Sequence, residues 1–277
     1  MMLVYAIIGV NVILSLRGFR DFSFFERYKF EVDSILIRKE QIRMLSSGFL
    51  HVDMMHLIFN MYAFYTFSGV LVSYFTTLEF AIIYFGSLIG GNLLSLYIHR
   101  NHGNYSAVGA SGAVSGAIYA SIALVPDGGI GLVFLPGLWI PSWIFGIIYI
   151  LYTIFGIKSN RDNIGHEAHL GGAMVGLILT VLFFLNDPTV QFTWWIIGAM
   201  LVPTLAFLYL VVYHPEWLLT GKIDWSNNPL SRFKDKQDRE RNKRPKPELN
   251  ELLDKINRDG YESLTIEERK RLDELSR

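Results

Sequence analysis

Ser111 lies in the stretch Gly109-Ala110-Ser111-Gly112-Ala113-Val114-Ser115-Gly116, where small neighbours let another backbone come close to its hydroxyl. A serine becomes a nucleophile when a base takes its proton, and imidazole is the usual base. The same spacing also serves plain packing: Gly112/Gly116 and Ser111/Ser115 are four residues apart, a pattern that draws membrane helices together. A second stretch, Gly165-His166-Glu167-Ala168-His169-Leu170-Gly171-Gly172-Ala173-Met174-Val175-Gly176, sets ionisable groups in an apolar run, where they are costly and imply a role. At about 100° per residue, Gly172, Ala173 and Gly176 fall within about 60° of His169. A glycine-rich helix meeting that face would bring hydroxyl and imidazole together. His166 lies about 60° to the other side and is the weaker candidate base, and Glu167 points about 160° away, which favours a dyad over a triad.

Acyl transfer also needs donors for the tetrahedral oxyanion. His56 and Asn60 stand about 40° apart on one helical face and could supply them beside the Ser111 amide. The plainer reading is interhelical hydrogen bonding, since a His and an Asn in apolar surroundings each need a partner. His51 falls away from that face. Ser115, a turn deeper than Ser111, is a poor alternative nucleophile.

The elements that must hold these residues are membrane spans. Hydrophobic residues make up 51% of the 277, mean hydropathy is positive, and apolar runs of spanning length recur. Cysteine is absent, which excludes disulfides, thiolate metal sites and a cysteine nucleophile. Seven spans are expected near residues 1–16, 49–72, 78–98, 107–125, 139–156, 165–185 and 191–213. The first lacks a basic n-region and a clear cleavage site, so it reads as a retained span. Residues 17–47 form a long aromatic-rich connection, either an interfacial amphipathic segment or an exposed loop. Pro126, Gly128, Gly129 and Gly131 end the fourth span, Trp139 and Trp143 look like interfacial anchors, and Pro203 should kink the seventh. Beyond it, residues 231–247 read as a basic mobile linker. The chain closes on a helical hairpin: Leu249, Leu252, Leu253 and Ile256 make one stripe, Asp259-Gly260 stops it, and Thr265 to Glu268 forms a capping box.

In three places the chain resembles the rhomboid family of intramembrane serine proteases: His56-Leu57-Ile58-Phe59-Asn60-Met61, Gly109-Ala110-Ser111-Gly112, and Ala168-His169-Leu170-Gly171-Gly172-Ala173-Met174-Val175-Gly176. Gly48-Phe49-Leu50-His51 adds to the likeness. The resemblance implies an all-α polytopic membrane protein: a six-helix rhomboid-like catalytic core over residues 1–186 and an extra transmembrane helix at 187–213; composition and pattern add a basic linker at 214–247 and the hairpin at 248–277. It implies Ser111 as nucleophile, His169 as general base, and His56, Asn60 and Gly109 around the oxyanion. Many members carry an aromatic residue four positions after the nucleophile, beneath the histidine ring. Here that position is Ser115, so the support of His169 is left unassigned.

The expected activity is hydrolysis of a peptide bond in or beside a substrate's transmembrane helix, with no metal, cofactor or nucleic acid implied. Partners would be transmembrane protein substrates and the bilayer, in a setting such as the bacterial inner membrane. The tail could bind anionic lipid or a soluble partner, or be a solvated appendage. The rival reading is a catalytically silent client-binding relative or a transporter-like bundle, although no internal repeat is evident. All 25 Lys and Arg fall after spans one, three and five or in the tail. The positive-inside rule would therefore put the mouth of the site on the cytoplasmic side, whereas the resemblance implies the opposite face, which is the orientation expected here.

Overall fold

Each of the seven expected spans is a helix in the computed structural model, which describes residues 1–132, 135–159, 164–214 and 247–276. Among those residues six helices are long and apolar enough to cross a membrane. They are α1 (Met2–Arg20), α5 (Met54–Tyr74), α6 (Thr77–Ile98), α8 (Ser142–Ser159), α9 (His166–Phe184) and α10 (Trp194–Tyr213). The seventh, α7 (Ser111–Leu124), has 14 residues and is about 21 Å long, short of a hydrocarbon core of about 30 Å. It starts at Ser111, later than expected, because Ala107 is held in a strand. Residues 112–123 are all buried, as befits a helix apolar on every side.

Glycine is what lets α9 lie against both neighbours. A Cβ on Gly172 would run into the Gly112 carbonyl, and one on Gly176 into the Gly116 carbonyl. Against α6, a Cβ on Gly171 would lie 2.9 Å from the Gly90 carbonyl oxygen, and Gly90 itself makes room for Val175. Lipid tails are as apolar as the side chains, so no hydrophobic force drives these helices together. Close backbone packing supplies the attraction instead.

The long first connection is a folded piece rather than an exposed loop. It contains α2 (Phe22–Tyr28), β1 (Phe30–Glu31), α3 (Val32–Leu36), α4 (Arg43–Ser46) and a 3-10 turn (Ser47–Phe49), around a small core of Phe30, Val32, Ile35 and Met44. Buried Arg43 donates to the carbonyls of Glu26 at 2.8 Å and Lys29 at 2.9 Å. Asn92 of α6 donates to the Met44 carbonyl at 2.7 Å. β1 pairs antiparallel with β2 (Ser106–Ala107), Phe30 opposite Ala107, which fastens this connection to the segment leading into Ser111.

The glycine and proline cluster after α7 does end that helix, but the next element is an antiparallel hairpin, β3 (Gly129–Leu132) with β4 (Leu135–Pro141). Trp139 therefore sits on a strand, over Gly129 and Gly131. Trp143, on α8, meets Trp195 of α10 edge to face at 5.2 Å. Pro203 is accommodated inside α10.

The chain divides into two units, residues 1–229 and 230–277, and the expected linker at 214–247 falls almost wholly outside the described residues. In the second unit α11 (Pro247–Asp259) ends at Gly260, whose φ of +82° favours glycine, and α12 (Ile266–Ser276) follows. The Thr265 amide donates to Glu268 at 2.8 Å and the Glu268 amide to Thr265 Oγ1 at 3.2 Å, which is the reciprocal cap. Lys255 joins the two helices through Glu268 at 2.8 Å.

Gly172→Ala forces a methyl group against a neighbouring backbone. It should destabilise the protein in detergent by about 1–3 kcal/mol, read as a fall in melting temperature. Gly198→Ala, where nothing lies within 4 Å of the added carbon, should leave the melting temperature unchanged or slightly raised.

Candidate active site

Ser111 is the first residue of α7, and His169 lies in the first turn of α9. The glycine contacts bring these two helix starts together. A Cβ on Gly112 would lie 3.2 Å from the Ala168 carbonyl oxygen, so the residue after Ser111 touches the residue before His169. The Ala168 carbonyl also presses on Gly91 of α6. Ser111 and His169 are half-buried, while residues 112–123 of the helix below Ser111 are buried.

Gly109 brings in the third helix. Its φ of +136° belongs to glycine, and a Cβ there would lie 2.9 Å from His56 Cε1, 3.0 Å from His56 Nε2 and 3.5 Å from Ser111 Oγ. The His56 ring and the Ser111 hydroxyl thus flank one small space that any side chain at 109 would fill. The Gly109 amide donates to the Ser47 carbonyl at 3.0 Å, so what Gly109 contributes is its backbone conformation and that space rather than its N–H. The N-cap position of α7 is Ala110, which has no capping side chain. The first N–H groups of the helix, Ser111's among them, have no partner within it and carry the positive end of its dipole. Asn60 is buried and donates to the His56 carbonyl at 2.9 Å. Asp53 caps α5 by accepting from the His56 amide at 2.8 Å, which fixes the turn that carries the imidazole.

Glu167 faces away from His169, as its helical angle implies. It is buried, 3.0 Å from His99 Nε2, and accepts from the Tyr105 hydroxyl at 3.4 Å. The His99 and Tyr105 rings stack at 3.6 Å. His166 packs edge to face on Tyr152 at 5.1 Å and occupies the space left by Gly156.

Two neighbours of the site escaped the sequence reading. Tyr149, on α8, places its hydroxyl 3.0 Å from His169 Nδ1, and no local pattern marks a residue that reaches the site only through helix packing. His51 carried a signal in Gly48-Phe49-Leu50-His51 but no role. It is fully buried, accepts from the Ala110 amide at Nε2 (3.4 Å), and its Nδ1 lies 2.9 Å from Ser15 Oγ. Ser15 in turn donates to the Phe49 carbonyl at 3.1 Å. Those bonds require a neutral ring with its proton on Nδ1. Burial, aided by His56 edge to face at 4.9 Å, pushes the His51 pKa down to about 3.

A family model described as "Rhomboid domain" matches residues 38–186, and one described as "Family of unknown function (DUF6576)" matches residues 234–277. The chain is 28% identical over 185 residues to "Rhomboid protein 1, mitochondrial" of Saccharomyces cerevisiae, covering 64% of this chain and 51% of that protein. It is 29% identical over 135 residues to "Presenilin-associated rhomboid-like protein, mitochondrial" of Mus musculus, covering 48% and 36%. With "RHOMBOID-like protein 12, mitochondrial" of Arabidopsis thaliana it shares 29% identity over 151 residues, covering 49% and 44%. The chain thus spans about half or less of the length of these curated relatives.

His51 has a folded-state pKa below the ordinary value near 6.5, so the stability it contributes is fully present above about pH 6.5 and is lost as pH falls toward the depressed value. Melting temperature in detergent should therefore drop as pH is lowered from about 7 to about 4. His51→Gln, which keeps an acceptor for Ala110 but cannot take up a proton, should flatten that decline. An unchanged pH dependence in the variant would refute this account of His51.

Proposed function

The chain belongs to the rhomboid family, and on that premise we propose that it is an intramembrane serine endopeptidase acting on transmembrane-segment substrates through a Ser111/His169 dyad. The observation that supports the reading is the contact between Gly112 and Ala168, the residues next to Ser111 and His169 on two separate helices. His56 borders the same space from a third helix.

In the proposed reaction His169 takes the Ser111 proton as Oγ attacks the scissile carbonyl. The carbonyl oxygen, now an anion, is met by the Ser111 N–H at the positive end of α7 and by the His56 imidazole, in the recess that Gly109 keeps open. Asn60 lies a turn below, holding the His56 turn and bordering the recess. The tetrahedral species collapses, the C–N bond breaks and His169 returns the proton to the departing amine. Water then attacks the acyl carbon as His169 takes its proton; the C–Oγ bond breaks, His169 returns the proton to Ser111 Oγ, and the acid leaves. Residues 1–186 are the catalytic core in this reading.

A helical substrate hides its amides in its own hydrogen bonds, so a cleavable one should carry small or helix-weakening residues. For the tail we favour a solvated appendage over an anionic-lipid or partner site. The protein is a multi-pass membrane protein, and the bacterial inner membrane is a proposal that fractionation checks. The relatives are named as mitochondrial proteins.

Purified protein in detergent with a model transmembrane substrate tests the dyad. Wild type should cleave, while Ser111→Ala and His169→Ala should each lose at least about a thousandfold in rate, as removal of a nucleophile or base does elsewhere. Cleavage persisting in Ser111→Ala would end the assignment, and no cleavage by any sample would favour a silent, client-binding relative. Deleting residues 234–277 should leave cleavage of a minimal substrate within about twofold of wild type, since a solvated appendage makes no contact in the transition state.

A further inference from the structure

Tyr149 has no part in the chemistry above, yet it touches both ends of a gap in it. Its hydroxyl lies 3.0 Å from His169 Nδ1 and 3.1 Å from Ser115 Oγ. Its ring is nearly parallel to the imidazole, at 17° with centroids 6.0 Å apart, and Phe145 stacks on it at 5.7 Å and 12°. The ring's place on α8 is itself fixed, because the buried Tyr119 hydroxyl of α7 donates to the Gly146 carbonyl one turn earlier. Ser115 and Tyr119 are likewise one turn apart, so one face of α7 grips one face of α8 at two successive levels.

A base that is to take the Ser111 proton must be neutral and must present a lone pair toward the hydroxyl. Nδ1 is engaged by Tyr149, so a base acting on Ser111 would work through Nε2, and the ring proton then belongs on Nδ1. A tyrosine hydroxyl can accept one hydrogen bond and donate another. If it accepts from Nδ1–H, its own proton needs an acceptor, and Ser115 Oγ is in place to be one. Turned the other way, the tyrosine would donate to Nδ1, move the ring proton to Nε2 and disable the base. The small side chain at 115 thus leaves room for a ring from α8 and offers an oxygen able to accept the tyrosine's proton.

We propose that Tyr149 is the positioning residue for His169, accepting its Nδ1–H while Ser115 accepts the tyrosine's proton, so that the imidazole is held in the tautomer able to deprotonate Ser111. The assignment rests on His169 being the base. It gives the fifth apolar helix a part in the chemistry, although none of its residues is the nucleophile, the base or an oxyanion donor.

The test compares wild type, Tyr149→Phe, Ser115→Ala and the double variant for kcat, KM and melting temperature in detergent, on the same transmembrane substrate. Tyr149→Phe keeps the stacked ring and removes the acceptor. It should lower kcat about tenfold, the effect of one hydrogen bond, with KM and melting temperature held. Ser115→Ala should lower kcat by less, and the double variant should be no slower than Tyr149→Phe alone, because both changes break one chain. Independently of activity, 15N NMR of histidine-labelled protein, with His169 assigned by its loss in His169→Ala, should show a protonated Nδ1 in wild type and a shifted tautomer balance in Tyr149→Phe. An unchanged kcat in Tyr149→Phe, a loss that merely follows melting temperature, or a wild-type ring protonated on Nε2 would each overturn the proposal. If wild type does not cleave at all, the protease reading fails, and the NMR result still decides whether Tyr149 holds the ring.

Discussion

Backbone meeting backbone between α7 and α9 is the contact on which the rest of this structure depends. Gly112 and Gly116 on one helix face Gly172 and Gly176 on the other so closely that a single methyl group would strike a carbonyl. In a bilayer this is among the few ways two apolar helices can gain by meeting, since moving a leucine from lipid to protein changes its surroundings little. The same contact sets the register of Ser111 against His169. Packing and site geometry are therefore one constraint, and a side chain that loosened the first would misplace the second.

Other elements hold the segment that leads into Ser111. The first connection is tied down by Arg43, reaches across through β1 and β2, and receives the Gly109 amide on the Ser47 carbonyl. His51, kept neutral by burial, receives the next amide, that of Ala110. Two consecutive amides before Ser111 are thus used by fixed acceptors, which holds the backbone that leads into α7. α7 itself is short and buried along its length, and its start meets the start of α9. Polar residues beside that start, His51 and Asn60 among them, lie buried in the bundle.

A polar side chain in such a place has to be satisfied locally, and the structure does this with short chains of hydrogen bonds. Ser15 and Phe49 complete His51, Tyr149 and Ser115 complete His169, and His99 with Tyr105 completes Glu167. The acid beside the candidate base in sequence is thus engaged elsewhere, and the neutral tyrosine takes the position against Nδ1 that an acid would hold in a triad. This fits a site that avoids adding a buried charge where water is scarce.

Much of this was legible from residue order alone. Hydropathy located the seven apolar helices, the four-residue spacing of Gly112/Gly116 and Gly172/Gly176 identified the faces that would touch, and the angular place of Glu167 kept it off His169. The capping box at Thr265 and Glu268 and the stop at Gly260 were equally plain, because caps and glycine stops are local chemistry. What the sequence could not contain is which helix supplies the support of His169. Tyr149 is 34 positions from Ser115 and 20 from His169, and nothing in its neighbourhood distinguishes it from the other aromatics of an apolar run. Likewise the pairing of Phe30 with Ala107 and the bond from Ala110 to His51 join segments remote in the chain. Period and composition act over a few residues, whereas those pairings are chosen by which helices the glycines allow to meet.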